Sequence, residues 1–335
     1  MILTNDHRAL RSGWHPMAES AAVTERPTRA LLLGEPYVLV RLGGDVRVFV
    51  DRCPHRNARL SDGCVVRGRL QCPYHGWEFE PGGALAHVPA LGEGAPVPPR
   101  ARLSAPRVTE RYGLVWVAPD EPVCDILDVA EYDDPTLANI WMLPRTITAG
   151  ASQYLDNFLD FAHFPFVHAG TFGLGESPLL DDYSVERKPR GLRVAYHHRI
   201  SNKEDPLVAT GEHPLVQPRS MVYDYAVPFM GNLRLELPVA EMVNAIAIFV
   251  RPETATTSVV YCVMMRNDCG PADNPDPQLA ASAVAYEVAI VDEDLAAVGH
   301  LPDASLDVDP KAHIHTRVDR ITVEFRRLLA ELMAG

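Results

Sequence analysis

The amino-acid sequence predicts an α+β protein with two domains, an all-β N-terminal domain and a larger domain of antiparallel strands and long helices. Strand patterns occupy the first 120 or so residues, and a second group of strand patterns lies between helical segments in the remainder. The chain has 335 residues, which is long for a single core. We therefore expect domains at 1–122 and 123–335.

The N-terminal domain is predicted from alternation and turn signals. Apolar and polar residues alternate on both sides of Gly43 and Gly44, which predicts a β-hairpin over residues 31–50. The proline-rich stretch VPALGEGAPVPPRARL predicts a surface connection, and RVTERYGLVWVAP returns to a strand pattern. The acidic stretch APDEPVCDILDVAEYDDP then changes the composition, and this change places the domain boundary near residue 122.

The C-terminal domain begins with a helical pattern, ASQYLDNFLDFAHFPFVHAG. Strand patterns follow in GLRVAYHHRI, SMVYDYAVPF, NLRLELPV, NAIAIFV and SVVYCVMM. A long helix is predicted over PDPQLAASAVAYEVAIVDEDLAAV. The chain closes on an amphipathic helix whose apolar face carries Ile321, Phe325, Leu328, Leu329 and Leu332.

Composition excludes several classes of partner. The chain carries 31 basic and 44 acidic residues, and the net charge of −13 argues against nonspecific binding to nucleic acid or anionic membranes. No apolar run approaches the roughly 20 residues that span a bilayer, and the N-terminus lacks the pattern of a signal peptide. We therefore expect a cytosolic protein whose clustered cysteines are metal ligands rather than disulfide partners.

The first motif, CPHRNARLSDGCVVRGRLQCPYHGWEF at residues 53–79, pairs Cys53 with His55 and Cys72 with His75. A [2Fe-2S] cluster with two thiolates on one iron and two imidazoles on the other needs one Cys and one His from each of two loops. Zinc accepts the same four donors, but its usual spacing places two cysteines together and then two histidines. The mixed loops therefore favour an iron–sulfur cluster over zinc.

The second motif is DNFLDFAHFPFVH, residues 156–168. Asp160 and His163 are one helical turn apart, so the carboxylate can orient the imidazole. His163 and His168 are five residues apart, about 140° around an ideal helix, and a kink at Pro165 is expected to bring them together. Two histidines and one carboxylate form the facial triad of non-heme Fe(II) oxygenases, whereas two histidines among aromatic residues are also typical of a packed core.

A later helical segment, VDEDLAAV, offers three further carboxylates in succession, those of Asp292, Glu293 and Asp294. Consecutive residues face different directions on a helix, and the spacing alone leaves all three open.

With these motifs the chain resembles the Rieske non-heme iron oxygenases over nearly its full length. The cluster motif has the form C-x-H-x16-C-x2-H, and the second motif has the form N-x2-D-x2-H-x4-H beginning at Asn157. The chain is similar in size to the compact monooxygenases of the vanillate and dicamba O-demethylase group. It is also similar to them in two segments, RYGLVWV and HTRVDRITVEFRRLL. The resemblance implies an all-β Rieske domain followed by a helix-grip (START-like) catalytic domain.

The resemblance also implies roles for individual residues. The [2Fe-2S] cluster would be held by Cys53, His55, Cys72 and His75. The mononuclear Fe(II) would be held by His163, His168 and, among the three consecutive acidic residues, Asp294. Asp160 would act in catalysis by linking His163 to the cluster ligand His75 of a neighbouring subunit, which implies a head-to-tail homotrimer.

The function implied by the resemblance is that of a terminal oxygenase component. It would use O2 and electrons from a separate NAD(P)H-dependent flavin reductase, directly or through a ferredoxin, to hydroxylate or to O- or N-demethylate a small aromatic, heterocyclic or natural-product substrate. The glycine-rich run GTFGLGES lacks the G-x-G-x-x-G spacing of a dinucleotide site. The alternatives are an arene cis-dihydroxylating dioxygenase and a noncatalytic Rieske electron carrier, and the carrier would leave the second motif without a purpose.

The substrate pocket is the least specified part of the sequence. Tyr223, Tyr225, Phe229 and Met230 are candidates for either the pocket or the core. His197 and His198 lie in a strand pattern and are expected to point to opposite faces, so that at most one of them reaches a pocket.

Overall fold

The computed structural model describes residues 1–175, 178–301 and 303–335. These residues form two compact units. The smaller unit comprises residues 11–123 and 251–254, and the larger unit comprises residues 1–10, 124–250 and 255–335.

The secondary structure is mixed, with short strands in the first third of the chain and longer strands and helices after it. The strands are β1 (Ile2–Leu3), β2 (His15–Glu19), β3 (Thr28–Leu32), β4 (Glu35–Leu42), β5 (Asp45–Val50), β6 (Cys64–Val66), β7 (Arg69–Gln71), β8 (Glu78–Phe79), β9 (Leu85–His87), β10 (Arg107–Arg111), β11 (Leu114–Ala118), β12 (Ala138–Trp141), β13 (Arg145–Ile147), β14 (Ser184–Lys188), β15 (Gly191–Ser201), β16 (Val216–Ala226), β17 (Met230–Leu237), β18 (Met242–Pro252), β19 (Ser258–Arg266) and β20 (Leu306–Asp307). The α-helices are α1 (Ala151–Phe158), α2 (Phe164–Val167), α3 (Pro206–Thr210), α4 (Pro277–Val298) and α5 (Arg320–Ala334).

The smaller unit is built from antiparallel sheets ordered β3-β4-β5, β10-β11-β2 and β6-β7-β8-β9. The predicted hairpin is formed by β4 and β5, with Leu42 opposite Asp45. Gly43 and Gly44 at its turn have φ angles of 63° and 92°, which glycine adopts without a steric penalty. One core cluster of this unit joins the hairpin to the four-stranded sheet β6-β7-β8-β9 and includes the side chains of Cys53 and Cys72.

The larger unit contains a long antiparallel sheet in the order β12-β19-β18-β17-β16-β15-β14, and β13 also pairs with β19. The five strands predicted in this domain, β15 to β19, are confirmed. The sequence analysis missed β12, β13 and β14. Strand β14 has the exposed sequence SVERK, whose charged residues are typical of a sheet edge and give no apolar alternation.

Helices α4 and α5 are the long helices that the sequence predicts. Helix α4 begins after Asp276, whose carboxylate accepts hydrogen bonds from the backbone N–H groups of Gln278 and Leu279. Helix α5 packs against β14 and β15. The predicted apolar face of α5 is buried at Ile321, Phe325, Leu328, Leu329 and Leu332. A large antiparallel sheet with long helices confirms the α+β class.

The helical segment after residue 150 differs from the prediction of one helix kinked at Pro165. Helix α1 ends at Phe158, and a new short helix, α2, begins after His163. The backbone N–H groups of Ala162 and His163 donate to the carboxylate of Asp160, which stabilises the intervening turn. Pro165 lies in the first turn of α2. Backbone N–H groups in a first turn have no partner within the helix, so proline removes no helical hydrogen bond there. The direction of the chain therefore changes at Asp160 and not at Pro165.

Among the described residues, no helix is both long enough and apolar enough to cross a membrane.

Candidate metal centres

The two loops that carry the first motif have the same backbone hydrogen bonds. In each loop the N–H of the cysteine donates to the carbonyl five residues later, from Cys53 to Ala58 and from Cys72 to Trp77. The cysteine carbonyl in turn accepts from the residue four positions later, Asn57 or Gly76. Both of these residues have positive φ angles, 59° and 70°. The sequence therefore folds into two matching tight loops.

The loops bring the four predicted cluster residues together. The Cys53 and Cys72 side chains are buried and close enough for each to perturb the other electrostatically. The imidazoles of His55 and His75 are exposed, and their ring centroids lie 4.5 Å apart. The His55 ring stacks on Trp77, with 4.4 Å between the ring centroids and 3° between the planes. Two buried sulfurs thus lie beneath two surface imidazoles.

This donor set fits a Rieske cluster. Burial raises the pKa of the Cys53 thiol to about 11, so bound metal cations would be needed to hold it as a thiolate. The backbone N–H groups of His55 and Arg56 act in the opposite direction and lower the pKa of Cys53, because N–H dipoles near a sulfur stabilise its negative charge. The arrangement of two thiols and two imidazoles is the one that distinguishes a Rieske cluster from an all-cysteine cluster.

The second motif and helix α4 bring three metal-ligating atoms together. Nε2 of His163 lies 3.1 Å from Nε2 of His168. Each of these nitrogens lies 3.3 Å from Oδ1 of Asp294. We refer to these three atoms as the donor triangle. The three atoms are close enough to one another to bind a single metal ion.

The far side of each imidazole is held by a carboxylate. Nδ1 of His163 lies 3.2 Å from Oδ2 of Asp160, and Nδ1 of His168 lies 2.9 Å from Oε2 of Glu293. The hydroxyl of Thr171 donates to the same Glu293 oxygen at 2.7 Å. Carboxylates in this position fix the tautomer and orientation of metal-ligating histidines.

The structure gives each of the three consecutive acidic residues a different position. Asp292 is half-exposed and pairs with Arg145, with 2.6 Å between Oδ1 and Nη1. Glu293 turns to His168, and Asp294 points into the donor triangle, where its Oδ1 also accepts a hydrogen bond from Nδ2 of Asn157 at 2.7 Å. Geometry therefore brings Asp294 to both histidine Nε2 atoms.

Electrostatics couple the members of the donor triangle. Burial acts to lower the pKa of His163, but the carboxylates of Asp160 and Asp294 outweigh it and raise that pKa to about 9. Burial acts to raise the pKa of Asp294, but hydrogen bonds with His163 and His168 hold it at about 2. An anionic carboxylate against two imidazoles is a site prepared for a cation.

The donor triangle has the dimensions of a site for one metal ion. Metal–ligand bonds of about 2.1 Å place neighbouring ligands about 3.0 Å apart in an octahedron and about 3.4 Å apart in a tetrahedron. The distances of 3.1, 3.3 and 3.3 Å lie within this range and suit three ligands of one ion. Two imidazoles and one carboxylate on a single face are the donor set of non-heme Fe(II) oxygenases.

A cavity lies beside the donor triangle, between α4 and the inner face of the sheet. Alternate residues of β16, β17 and β18 line it, as expected for one face of a sheet. The sheet side is formed by Arg219, Met221, Tyr223, Leu233, Leu235, Leu237, Asn244, Ile246 and Ile248, and the α4 side by Tyr286, Glu287, Ile290, Val291 and Asp294. Of the proposed pocket residues, Tyr223 lines this cavity, whereas Tyr225 packs against Phe325 of α5.

Sequence reasoning missed the residues that support and line the site. It considered Glu293 only as an alternative ligand, and it gave Asn157 no contact. Glu287 lies seven residues before Asp294, and this spacing places both side chains on one face of a helix. The spacing could therefore have identified Glu287 as a residue of the site. Nothing in the sequence marks Asn244 or Arg219. His197 and His198 do point to opposite faces, and His198 accepts a hydrogen bond from Arg219.

Comparison with known proteins gives matches over both units. Residues 147–335 match the family described as vanillate O-demethylase oxygenase C-terminal domain, and residues 13–105 match the Rieske [2Fe-2S] domain. The methylxanthine N1-demethylase NdmA of Pseudomonas putida is 26% identical over 344 residues, covering 99% of this chain and 91% of that protein. The oxygenase component of dicamba O-demethylase from Stenotrophomonas maltophilia is 35% identical over 164 residues, 48% of each chain.

The likeness extends to three dimensions. The structure of Pseudomonas putida NdmA with caffeine superposes with a TM-score of 0.83 at 26% identity, covering 98% of this chain and 93% of that chain. The resemblance that the motifs indicate is therefore confirmed, together with the order of a Rieske domain before a catalytic domain. The enzyme class is an oxidoreductase that uses a [2Fe-2S] cluster, mononuclear iron, O2 and electrons from a separate reductase. The chain belongs to the Rieske non-heme iron oxygenases, with a catalytic domain of the vanillate O-demethylase oxygenase type.

Proposed function

We propose that this chain is the terminal oxygenase of a monooxygenase that hydroxylates, or removes a methyl group from nitrogen or oxygen of, a small aromatic or heterocyclic substrate. The observation that carries the proposal is the donor triangle at the side of a largely apolar cavity. An electron carrier would need neither the triangle nor the cavity. The names of the relatives support demethylation, since one is a methylxanthine N-demethylase and another a dicamba O-demethylase.

In this proposal Cys53, His55, Cys72 and His75 hold the cluster, and His163, His168 and Asp294 hold the iron. When bound, the cluster supplies single electrons and the Fe(II) site supplies open positions for O2. Asp160 and Glu293 keep the two iron-ligand imidazoles in the orientation seen in the structure. The apolar side chains of the cavity exclude water and hold the methyl group of the substrate beside the donor triangle.

The net reaction balances for a methyl group on nitrogen or oxygen. One O2, two electrons and two protons convert the methyl group to a hydroxymethyl group and release one water. The hydroxymethyl group then leaves as formaldehyde, and the proton remains on the nitrogen or oxygen of the product. Hydroxylation and demethylation are therefore outcomes of one chemistry, decided by the atom that carries the oxidised carbon.

Oxygen-isotope labelling tests the proposed reaction. The holoenzyme would be supplied with a surrogate reductase, NADH and labelled O2, and challenged with N-methyl and O-methyl aromatic and heterocyclic compounds. We expect formaldehyde in proportion to NADH consumed, and one labelled oxygen atom per turnover in a stable hydroxylated product or in formaldehyde that is reduced to methanol before its oxygen exchanges with water. Two labelled atoms in a ring diol would show an arene dioxygenase instead. Reduction of the cluster without O2-dependent product from any substrate would support the electron-carrier alternative.

The proposal extends to the assembly. We propose that the chain forms a head-to-tail homotrimer in which Asp160 links His163 to the partner subunit's His75. Support comes from the exposure of His55 and His75 and from the Asp160 carboxylate, whose side chain is 26% exposed while it contacts His163. The exposed cluster histidines also give a flavin reductase or a ferredoxin a place to deliver electrons. A molar mass of three chains in solution would agree with this assembly, and a monomer would contradict it.

Two further parts of the proposal concern domain limits and location. We propose that residues 1–122 form the cluster domain and residues 123–335 the iron domain, in line with the family matches at 13–105 and 147–335. We also propose a cytosolic location, because cysteines that ligate iron as thiolates have to stay reduced.

A further inference from the structure

The cavity beside the donor triangle contains three polar side chains that the proposed metal chemistry does not use. They are Glu287 on α4, Asn244 on β18 and Arg219 on β16. Each has a relative exposure of 6% or less. Buried polar groups are normally paired, because leaving a donor or an acceptor unpaired costs free energy. Unpaired groups that face an apolar cavity therefore indicate the chemistry of its ligand.

Glu287 offers a carboxyl group to the cavity. Seven residues, two helical turns, separate it from Asp294, so both side chains lie on the same face of α4 at a separation of about 10 Å along the axis. Within residues 1–175, 178–301 and 303–335, the carboxyl group of Glu287 makes no hydrogen bond and no ion pair. Burial raises its pKa to about 7, and the nearby carboxylates of Glu204 and Asp294 add to this effect.

Asn244 offers a side-chain amide. Its neighbours on the same face of β18, Ile246 and Ile248, are apolar, as expected for the inner face of the sheet. The Oδ1 atom of Asn244 is fully buried and has no hydrogen-bond partner in the described chain. An acceptor without a partner, on a residue that lines the cavity, can accept an N–H or O–H donor from a ligand that contacts it.

Arg219 offers a guanidinium group. Its Nε donates to Nε2 of His198 at 3.0 Å, and burial together with Arg219 lowers the pKa of His198 to about 2, which keeps that imidazole neutral. The guanidinium carbon lies 4.5 Å from the ring centroid of Phe172. The nearby Glu204 carboxylate is bound by Arg266 at 2.9 Å, and Arg219 forms no ion pair with any carboxylate that the structure describes. Its remaining N–H groups are therefore available to donate to a ligand in the cavity.

These three groups discriminate between classes of ligand. A pure hydrocarbon would pair with neither the Glu287 carboxyl, nor Oδ1 of Asn244, nor the remaining N–H groups of Arg219. A simple amine would satisfy the acceptors but bring a second cation to Arg219, and a carboxylic acid would pair with Arg219 but face the carboxyl groups of Glu287 and Asp294. An amide supplies an N–H donor and a carbonyl acceptor without net charge. The apolar walls of the cavity favour a planar ring around that amide.

We propose that the cavity binds a planar cyclic amide, imide or ureide, whose N–H donates to Glu287 and Asn244 and whose carbonyl oxygen accepts from Arg219. This inference rests on the proposed function, because it names the class of substrate for the same site. It gives Glu287, Asn244 and Arg219 the role of positioning residues that set which part of the ligand lies beside the donor triangle.

Matched ligand pairs test the inference. The anaerobic holoenzyme, without reductase, would be titrated by calorimetry with theobromine, isatin and phthalimide and with their N-methylated counterparts caffeine, N-methylisatin and N-methylphthalimide. We expect at least one N–H ligand to bind with a dissociation constant below about 1 mM and about tenfold more tightly than its counterpart. Equal affinity within every pair, or no binding by any N–H ligand, would overturn the inference.

Substitutions of Glu287 and Asn244 test whether these residues cause the preference for the N–H ligand over its N-methylated counterpart. Glu287→Leu and Asn244→Leu remove the acceptors at similar volume, and either one is expected to reduce the preference for the N–H ligand to about twofold or less. Glu287→Gln keeps a carbonyl acceptor and should retain most of the preference. Glu186→Leu makes the same substitution on the exposed strand β14 and should leave the preference unchanged. A preference that persists in both leucine variants would overturn the inference.

The binding assay separates this inference from the proposed function. Ligand discrimination is measured without O2 and without electrons, and it therefore does not depend on turnover. If the N–H preference is present while no substrate is oxidised in the labelling experiment, the proposed function fails and the ligand class stands. If a substrate without an amide is demethylated and no N–H preference exists, the ligand class fails and the proposed function stands.

Discussion

The two proposed metal sites each contain two histidines, but they differ in exposure and in the way the chain builds them. His55 and His75 are exposed on two short loops that lie within one stretch of sequence. His168 is 2% exposed, and the donor triangle is completed by Asp294, which lies on a helix more than a hundred residues later. An exposed site suits exchange of electrons with another protein, whereas a buried site beside a cavity suits chemistry on a small substrate. The contrast predicts that each site can be lost without the other.

The largest expected effect comes from the donor triangle. Asp294→Ala should remove the mononuclear iron and abolish product formation, because it deletes the carboxylate that lies 3.3 Å from both histidine nitrogens. The cluster, held on separate loops, should keep its iron, sulfide and visible absorption. Iron and sulfide analysis with a turnover assay checks this outcome.

Asp292→Ala is the matched control for this prediction. Asp292 is half-exposed and pairs with Arg145. Its loss should leave both metal sites and turnover unchanged. Loss of the mononuclear iron in Asp292→Ala with retention in Asp294→Ala would show that the wrong acidic residue has been assigned.

The second prediction concerns the connection between the two kinds of site. Asp160→Asn should keep the cluster and the mononuclear iron but abolish coupled turnover, because the asparagine lacks the negative charge that Asp160 holds 3.2 Å from His163. Rapid-mixing spectroscopy of the reduced enzyme with O2 and substrate should show a cluster that no longer reoxidises at the wild-type rate. Normal coupled turnover with both metals present would contradict the proposed bridge.

A smaller effect is expected from the carboxylate behind His168. Glu293→Gln should weaken the retention of mononuclear iron about 10- to 100-fold, because the amide is a poorer partner for Nδ1 of His168 than the carboxylate. Iron release against a competing chelator measures this change, and cluster absorbance serves as the internal reference. Unchanged iron release would mean that Thr171 and the surrounding packing orient His168 without Glu293.

The smallest effect concerns pH and Glu287. The pKa of this carboxyl rises from 4.5 to about 7 on folding, so the folded state binds the proton more tightly than the unfolded state. Below pH 4.5 the group is protonated in both states, and as the pH rises to about 7 the folded protein should lose up to about 3 kcal/mol relative to Glu287→Gln. Melting temperatures of the two proteins, compared across this range after chelation of the mononuclear iron, should diverge by a few degrees. Parallel curves would contradict the raised pKa.

The sequence specified the cluster site more completely than the iron site for a physical reason. All four predicted cluster residues lie in two local loops whose spacing reflects the donor set, and the structure brings these four side chains together. The iron site depends on packing between α4 and the segment after α1, which no local pattern encodes. Helical geometry left Asp292, Glu293 and Asp294 open, and only their tertiary partners distinguish them.

The same reason explains the remaining differences between sequence and structure. The long strands β15 to β19 and helices α4 and α5 follow from periodicity, whereas the short or charged edge strands β12 to β14 are defined by their partners. The break near Pro165 was expected, but hydrogen bonds to the Asp160 carboxylate place it before His163. The sequence did not identify Glu287, Asn244 and Arg219 as cavity residues, because tertiary packing decides which face of each helix and strand is turned toward the cavity.

The most direct test of the two-site account is an anaerobic analysis of iron, zinc and acid-labile sulfide in the purified protein, paired with an EPR spectrum after reduction with dithionite. We expect about three iron atoms and two sulfides per chain, with a Rieske-type signal from the reduced cluster. Zinc in place of iron, without sulfide, would contradict it. Two irons and two sulfides, with no third iron taken up from added Fe(II), would contradict the iron site and leave only the electron carrier.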